Sequence, residues 1–157
     1  MTPKLDETDV KILRILRKNA RITTKEIAAR VNLSTTPVFE RIKRLESEGY
    51  IERYTAILNP EKLDMGFIVF CCVKLKRMSR DIAVEFVEKV KTIPEVSECY
   101  NISGEFDYLL KINAPDMKYY NKFLLDVLGS IESLGSVQSC FVMNEVKNSY
   151  GVPVSLL

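Results

Sequence analysis

The chain has 157 residues, 46% of them apolar, with 23 Lys/Arg against 21 Asp/Glu. That apolar share suffices for a packed core in one or two domains and excludes a disordered chain. No run of about 18 apolar residues is present, so no membrane span is expected, and the N-terminus has no signal-peptide pattern.

Histidine is absent, so neither a Ser-His-Asp nor a Cys-His arrangement can be built. There is no P-loop and no GxGxxG. The four cysteines, Cys71, Cys72, Cys99 and Cys140, form no CxxC, so a zinc site is not expected. They fall in apolar stretches and read as core residues in a reducing compartment, the cytoplasm. Nothing points to an enzyme, a metal or a cofactor. The net charge of +2 hides an asymmetry. Residues 1–60 hold 12 Lys/Arg and 8 Asp/Glu, a net of +4, and residues 61–157 hold 11 and 13, a net of −2. A basic first part fits a nucleic-acid-binding domain joined to something else.

In chain order, residues 5–19 read as a helix. Asp6 suits the N-cap, Asp9 stands three residues on as in a capping box, and Leu5 and Val10 suit a hydrophobic staple. Val10, Ile12, Leu13 and Leu16 form its apolar face. So short a helix needs partners, and two follow, at 24–31 and from Ser34 to about Glu48. Ser34 stands at a capping position, Pro37 is tolerated in the first turn, and Gly49 suits a helix end. In this third helix Val38, Ile42 and Leu45 point at a core, Thr36, Glu40, Lys43 and Arg44 lie opposite, and Arg41 flanks them. Three such helices make a helix-turn-helix domain. A polar first turn followed by basic residues suits a recognition helix, reading base edges with its start and neutralising phosphates further on. A solvated amphipathic helix has the same pattern. Glu40 is placed either to accept from a cytosine amino group or to repel phosphate.

Residues 50–58 are rich in strand formers and fit a wing or a connecting hinge strand. Residues 59–66, NPEKLDMG, read as the domain boundary. Beyond it, strands are expected at 67–76, 96–102, 106–113 and 137–146, with helices at 79–92 and 116–131. That is β-α-β-β-α-β, the ferredoxin-like arrangement. Two helices cover one face of such a sheet. The first strand is nevertheless apolar on both, with Val69, Cys71 and Val73 on one side and Ile68, Phe70 and Cys72 on the other. The second face needs another layer, most simply a second copy, so at least a dimer is expected. The expected organisation is therefore 1–58, a hinge at 59–66, and 67–157. In the turn at 102–108, Gly104 permits a positive φ and close approach to a ligand. Exposed N–H groups suit a carboxylate, and Glu105 or Asp107 an ammonium group. A plain hairpin turn with solvated acids accounts for the same residues.

Four stretches together resemble the Lrp/AsnC family of regulators. LDETDVKIL at 5–13 is similar to its opening helix, RITTKEIAARVNLSTTPVFERIKRLESEGYI at 21–51 to its helix-turn-helix, YTAILNPEKL at 54–63 to its hinge strand, and SGEFDYLLKI at 103–112 to its effector-domain signature. The resemblance implies an α+β chain, with an N-terminal winged helix-turn-helix and a C-terminal ferredoxin-like βαββαβ domain of the RAM type. It implies a sequence-specific regulator that binds double-stranded DNA as a dimer, often assembled into an octamer, with a free amino acid as effector between dimers. By position, Ser34, Thr35, Thr36, Arg41 and Arg44 match the DNA-contacting residues, and Glu40 and Lys43 share that face. Ser103, Gly104, Glu105, Phe106, Asp107 and Tyr108 match the effector loop. Ser139 and Cys140 match the last-strand segment that faces the loop from a neighbouring dimer. The alternatives are an architectural DNA-wrapping protein and a stand-alone amino-acid-sensing module.

Overall fold

The computed structural model describes residues 5–155. Their contacts form two compact units: within the described range, one comprises 5–57 together with 148–155, and the other 58–147. The C-terminal residues thus group with the first unit, whereas the sequence had placed all of 67–157 in the second.

In the first unit, α1 (Glu7–Lys18), α2 (Thr24–Val31) and α3 (Thr35–Ser47) surround Ile12, Leu16, Ile27, Ala28, Val38, Ile42 and Leu45. Local chemistry fixes the helix starts. The Asp6 side chain accepts from the Asp9 amide and Asp9 reaches back to the Asp6 amide, a complete capping box. Thr23 and Glu26 do the same for α2. Past α3, Gly49 takes φ +77, a conformation that favours glycine. Residues 50–58 form no strand. They are rich in strand formers, but a strand requires a ladder partner, and residues 51–58 share no sheet pairing with the described strands. Tyr54, Ile57 and Leu58 are left exposed. The 148–155 segment is irregular and is held on α1 by two guanidiniums: Arg14 Nε donates to the Val154 carbonyl at 2.9 Å and Arg17 to that of Val152 at 2.6 Å.

The second unit is an antiparallel sheet of β1 (Phe67–Leu75), β2 (Val96–Asn101), β3 (Tyr108–Ala114) and β4 (Leu134–Phe141), in the order β2-β3-β1-β4, with α4 (Arg80–Lys91) and α5 (Met117–Asp126). This is the expected ferredoxin-like order. Cys71 pairs with Leu110 on one side and Ser139 on the other. Val69, Cys71, Val73, Leu110 and Ile112 are buried with Phe86 and Val90 of α4 and Tyr120 and Phe123 of α5. On the opposite face Ile68, Phe70, Cys72 and Leu109 remain half-buried.

Some expected boundaries shift. The 116–131 helix ends at Asp126, and Leu128–Ser130 tighten into a 3-10 turn around Gly129. The last strand begins at 134 and ends at 141, with a register irregularity at Lys74/Leu75 that alternation alone does not reveal. Of the cysteines, only Cys71 is core. Cys72 is half-buried, and Cys99 and Cys140 are exposed on the edge strands β2 and β4, where a single chain provides no cover.

Candidate nucleic-acid interface and effector loop

α3 presents three stripes. Val38, Ile42 and Leu45 are buried, Arg41 and Arg44 lean towards α1, and Thr35, Thr36, Phe39, Glu40 and Lys43 are exposed. Asp9 explains the middle stripe. Its side chain is 1% exposed, and it receives Arg41 at 2.7 Å and Arg44 at 2.6 Å, while Asp6 also takes Arg41 at 2.6 Å. Burial pushes the Asp9 carboxyl up, but Arg44, the Asp6 amide and Arg41 together hold it below its usual value. Both arginines are held more firmly protonated by the same contacts, with Asp9 foremost. The two guanidiniums read from sequence as phosphate ligands therefore also fasten α3 to α1. Each keeps further N–H donors beyond those it spends on the carboxylates.

The missing clamp was legible. Asp9, Ile12, Leu13 and Leu16 share one helical face at i, i+3, i+4, i+7 spacing. A carboxylate in line with an apolar stripe requires a cationic partner.

Ser34 occupies the N-cap position of α3, yet its side chain makes no capping bond. The expected cap is corrected here, and the cause is local. In α1, α2, α4 and α5 the capping side chain accepts from the third residue of the helix: Asp9, Glu26, Ile82 and Tyr119. In α3 that residue is Pro37, which has no N–H. The exposed Ser34 hydroxyl is left uncommitted beside Thr35 and Thr36. On the same helix, Lys43 lies 5.8 Å from the Phe39 ring centroid and pairs with Glu46 at 2.9 Å. Glu46 accepts from Tyr54 Oη at 2.9 Å, and burial together with Glu46 pushes the Tyr54 phenol up to about 12.

The 102–107 loop joins β2 to β3. Gly104 takes φ +121 with open space around its missing Cβ, so conformation and not crowding selects glycine there. Ser103, Glu105 and Phe106 lie in the same loop. Asp107 ties it down: Oδ2 accepts from the Leu75 amide at 2.7 Å, its own amide donates to Val73, and its carbonyl accepts from Ile102 and Asn101. Tyr108 is buried and packs on Phe86, centroids 4.8 Å apart, so it serves the core. Beside the loop is an open cleft of about 370 Å³, bordered by Asp107, Asn101, Met78, Ser79 and Arg80. Ser139 and Cys140 lie on β4, separated from β3 by β1. Tyr120 Oη sits 2.5 Å from Ser139 Oγ and 2.9 Å from Cys71 Sγ, a polar chain threaded through the core. Within one chain these two residues do not join the loop. Among the described residues no group of acids and cysteines suits a metal ion, and no helix is long and apolar enough to cross a membrane.

A helix-turn-helix unit carrying an exposed polar face, followed by a βαββαβ unit with a cleft, defines a DNA-binding transcriptional regulator with a ligand-binding domain. Residues 5–52 match the winged helix-turn-helix DNA-binding model, and residues 68–152 match the Lrp/AsnC ligand binding domain. The chain belongs to the Lrp/AsnC family. It is 43% identical to the leucine-responsive regulatory protein of Escherichia coli over 145 residues, covering 92% of this chain and 88% of that one. Among solved structures, a transcriptional regulator of Neisseria meningitidis in complex with L-Met superimposes with a TM-score of 0.91 at 39% identity, covering 95% of this chain and 96% of that one. An AsnC family regulator of Agrobacterium tumefaciens gives 0.90 at 36% identity, covering 95% and 97%.

Proposed function

We propose that α3 is the recognition helix of a sequence-specific, cytoplasmic regulator, and that a free amino acid bound near the 102–107 loop modulates its assembly or DNA affinity. The observation that carries the DNA reading is the uncommitted start of α3. Ser34, Thr35 and Thr36 are exposed, and Pro37 denies Ser34 its internal bond. Ser34 reaches a phosphate, Thr35, Thr36 and Glu40 face base edges, and Lys43, with the outward N–H groups of Arg41 and Arg44, adds positive charge.

For the effector, the Asp107 carboxylate and the Arg80 guanidinium both border the cleft. These are the two charges that complement an amino-acid zwitterion, and Met78 and Leu75 offer apolar lining for its side chain. Ser103 to Phe106 would frame that ligand, and Ser139 and Cys140 would approach it from another copy. Self-assembly has two supports. The open sheet face carries Ile68, Phe70, Cys72 and Leu109, and residues 51–58, rich in strand formers, share no sheet pairing with the described strands. A second copy satisfies both in a dimer, and octamers would follow from further contacts between dimers. A ligand that favours one assembly shifts the population towards it.

The test measures duplex binding by fluorescence anisotropy across a salt series, with and without each amino acid, alongside light scattering. A regulator making about six phosphate contacts loses about 10³ in affinity between 50 and 200 mM salt. An affinity independent of salt would refute the DNA reading. An affinity and mass unmoved by every amino acid would refute the effector and favour a DNA-wrapping protein.

A further inference from the structure

Phe39 is the large apolar side chain left exposed on α3 among the described residues, at 46%. It does not share the helix's buried stripe. It lies one turn beyond Thr36 and one turn before Lys43, in line with the polar groups of the outer face. Lys43 sits over its ring, Glu46 holds Lys43, and Tyr54 holds Glu46. The ring is therefore supported from its C-terminal side by a chain of side chains that ends outside the helix, and it is pre-set to meet a surface.

The base edges of the major groove carry hydrogen-bond donors, acceptors and one apolar group, the 5-methyl of thymine. An aromatic ring on a groove-facing helix has only that group as its chemical match. We propose that Phe39 contacts a thymine 5-methyl and so determines specificity at that base pair. The inference rests on α3 being the groove-facing helix and adds to it the residue that reads an apolar mark and the base it reads. Thr36 and Glu40 read polar edges of neighbouring pairs. Phe39 makes no hydrogen bond to DNA and distinguishes T from its unmethylated counterpart by burial alone.

Deoxyuridine isolates this contact, because it differs from thymidine only by the methyl group and leaves every hydrogen-bonding group in place. A duplex site is selected with the full wild-type chain from a randomised pool. Each thymine is then replaced singly by deoxyuridine, and affinity is read by anisotropy at fixed salt. Burial of one methyl-sized group corresponds to about a four-fold change. Wild type is expected to weaken about four-fold at one thymine of each half-site. Phe39→Ala is expected to bind the thymine and deoxyuridine duplexes equally, and Phe39→Leu to keep part of the difference. Thr36→Ala is expected to weaken binding and yet keep the full thymine-to-deoxyuridine ratio, which separates loss of the methyl contact from general damage to α3. Wild-type binding to its selected site with no deoxyuridine effect anywhere overturns the inference, as does an undiminished ratio in Phe39→Ala. Failure of wild type to select or bind any duplex overturns the recognition-helix reading, and this inference with it.

Discussion

Substitution of Asp9 by alanine removes the carboxylate on which α1 and α3 meet. Three losses combine. Arg41 and Arg44 each lose a bond of 2.6–2.7 Å, and the Asp6 amide loses its acceptor. Removing one partner of a fully buried ion pair costs about 3–5 kcal/mol. Here the arginine side chains are 29% and 35% exposed, so both rehydrate in part, and the ionic loss is nearer that of a partly screened pair, about 1–2 kcal/mol. The broken capping box adds about 1 kcal/mol. The expected total is about 2–3 kcal/mol, which for a unit of this size lowers Tm by about 10 °C or more. Asp9→Asn keeps an acceptor for the cap and is expected to lose roughly half as much. Helical ellipticity followed through urea or heat reports the change, with the second unit's transition tracked separately because two units need not unfold together. The pH dependence supplies an independent check. Asp9 titrates below its unfolded value, so its contribution is complete above about pH 4 and is lost as pH falls through the folded pKa. Asp9→Asn should flatten that acid limb. A loss under 0.5 kcal/mol for Asp9→Ala, or an acid limb unchanged in Asp9→Asn, would refute the clamp.

Pro37→Ala restores an N–H at the third position of α3. The Ser34 hydroxyl is expected to turn inward and cap the helix, leaving stability within about 1 kcal/mol while DNA affinity falls. In a Ser34→Ala background the same change should leave affinity unaltered, which anisotropy would show. Gly104→Ala places a Cβ at φ +121 in open space, so strain alone should cost about 1–2 kcal/mol in thermal melts. Tyr120→Phe strips the hydroxyl that links Cys71 to Ser139 and should cost about 1 kcal/mol. Equal stability with the wild type would show that this chain contributes nothing.

How much of this was legible follows from how local the governing physics is. The capping box at Asp6/Asp9, the turn at Gly49 and the two-faced apolar pattern of β1 are each decided within a few residues, and the sequence revealed the fold through them. Strand ends were misplaced where pairing decides them. β4 ends at Phe141, although β1 continues to Phe67 and the Val142 amide still donates to the Ile68 carbonyl, and residues 51–58 have strand composition but share no sheet pairing with the described strands. Among the site residues, Tyr108 packs on Phe86 while bordering the cleft, and Ser139 bonds Tyr120, contacts that strand alternation sets and a motif match does not reveal. Asp9 and Pro37 show the reverse case. A carboxylate on an apolar stripe and a proline at the third position of a helix with a serine cap are both readable from spacing alone. Each states that a side chain elsewhere must be bound or released. The first requires a cation from another helix, which Arg41 and Arg44 supply. The second leaves a hydroxyl unspent at the start of the helix whose outer face also holds Thr35, Thr36 and Phe39. Departures from local satisfaction thus point towards the proposed DNA-binding face more directly than the basic residues that first suggested it.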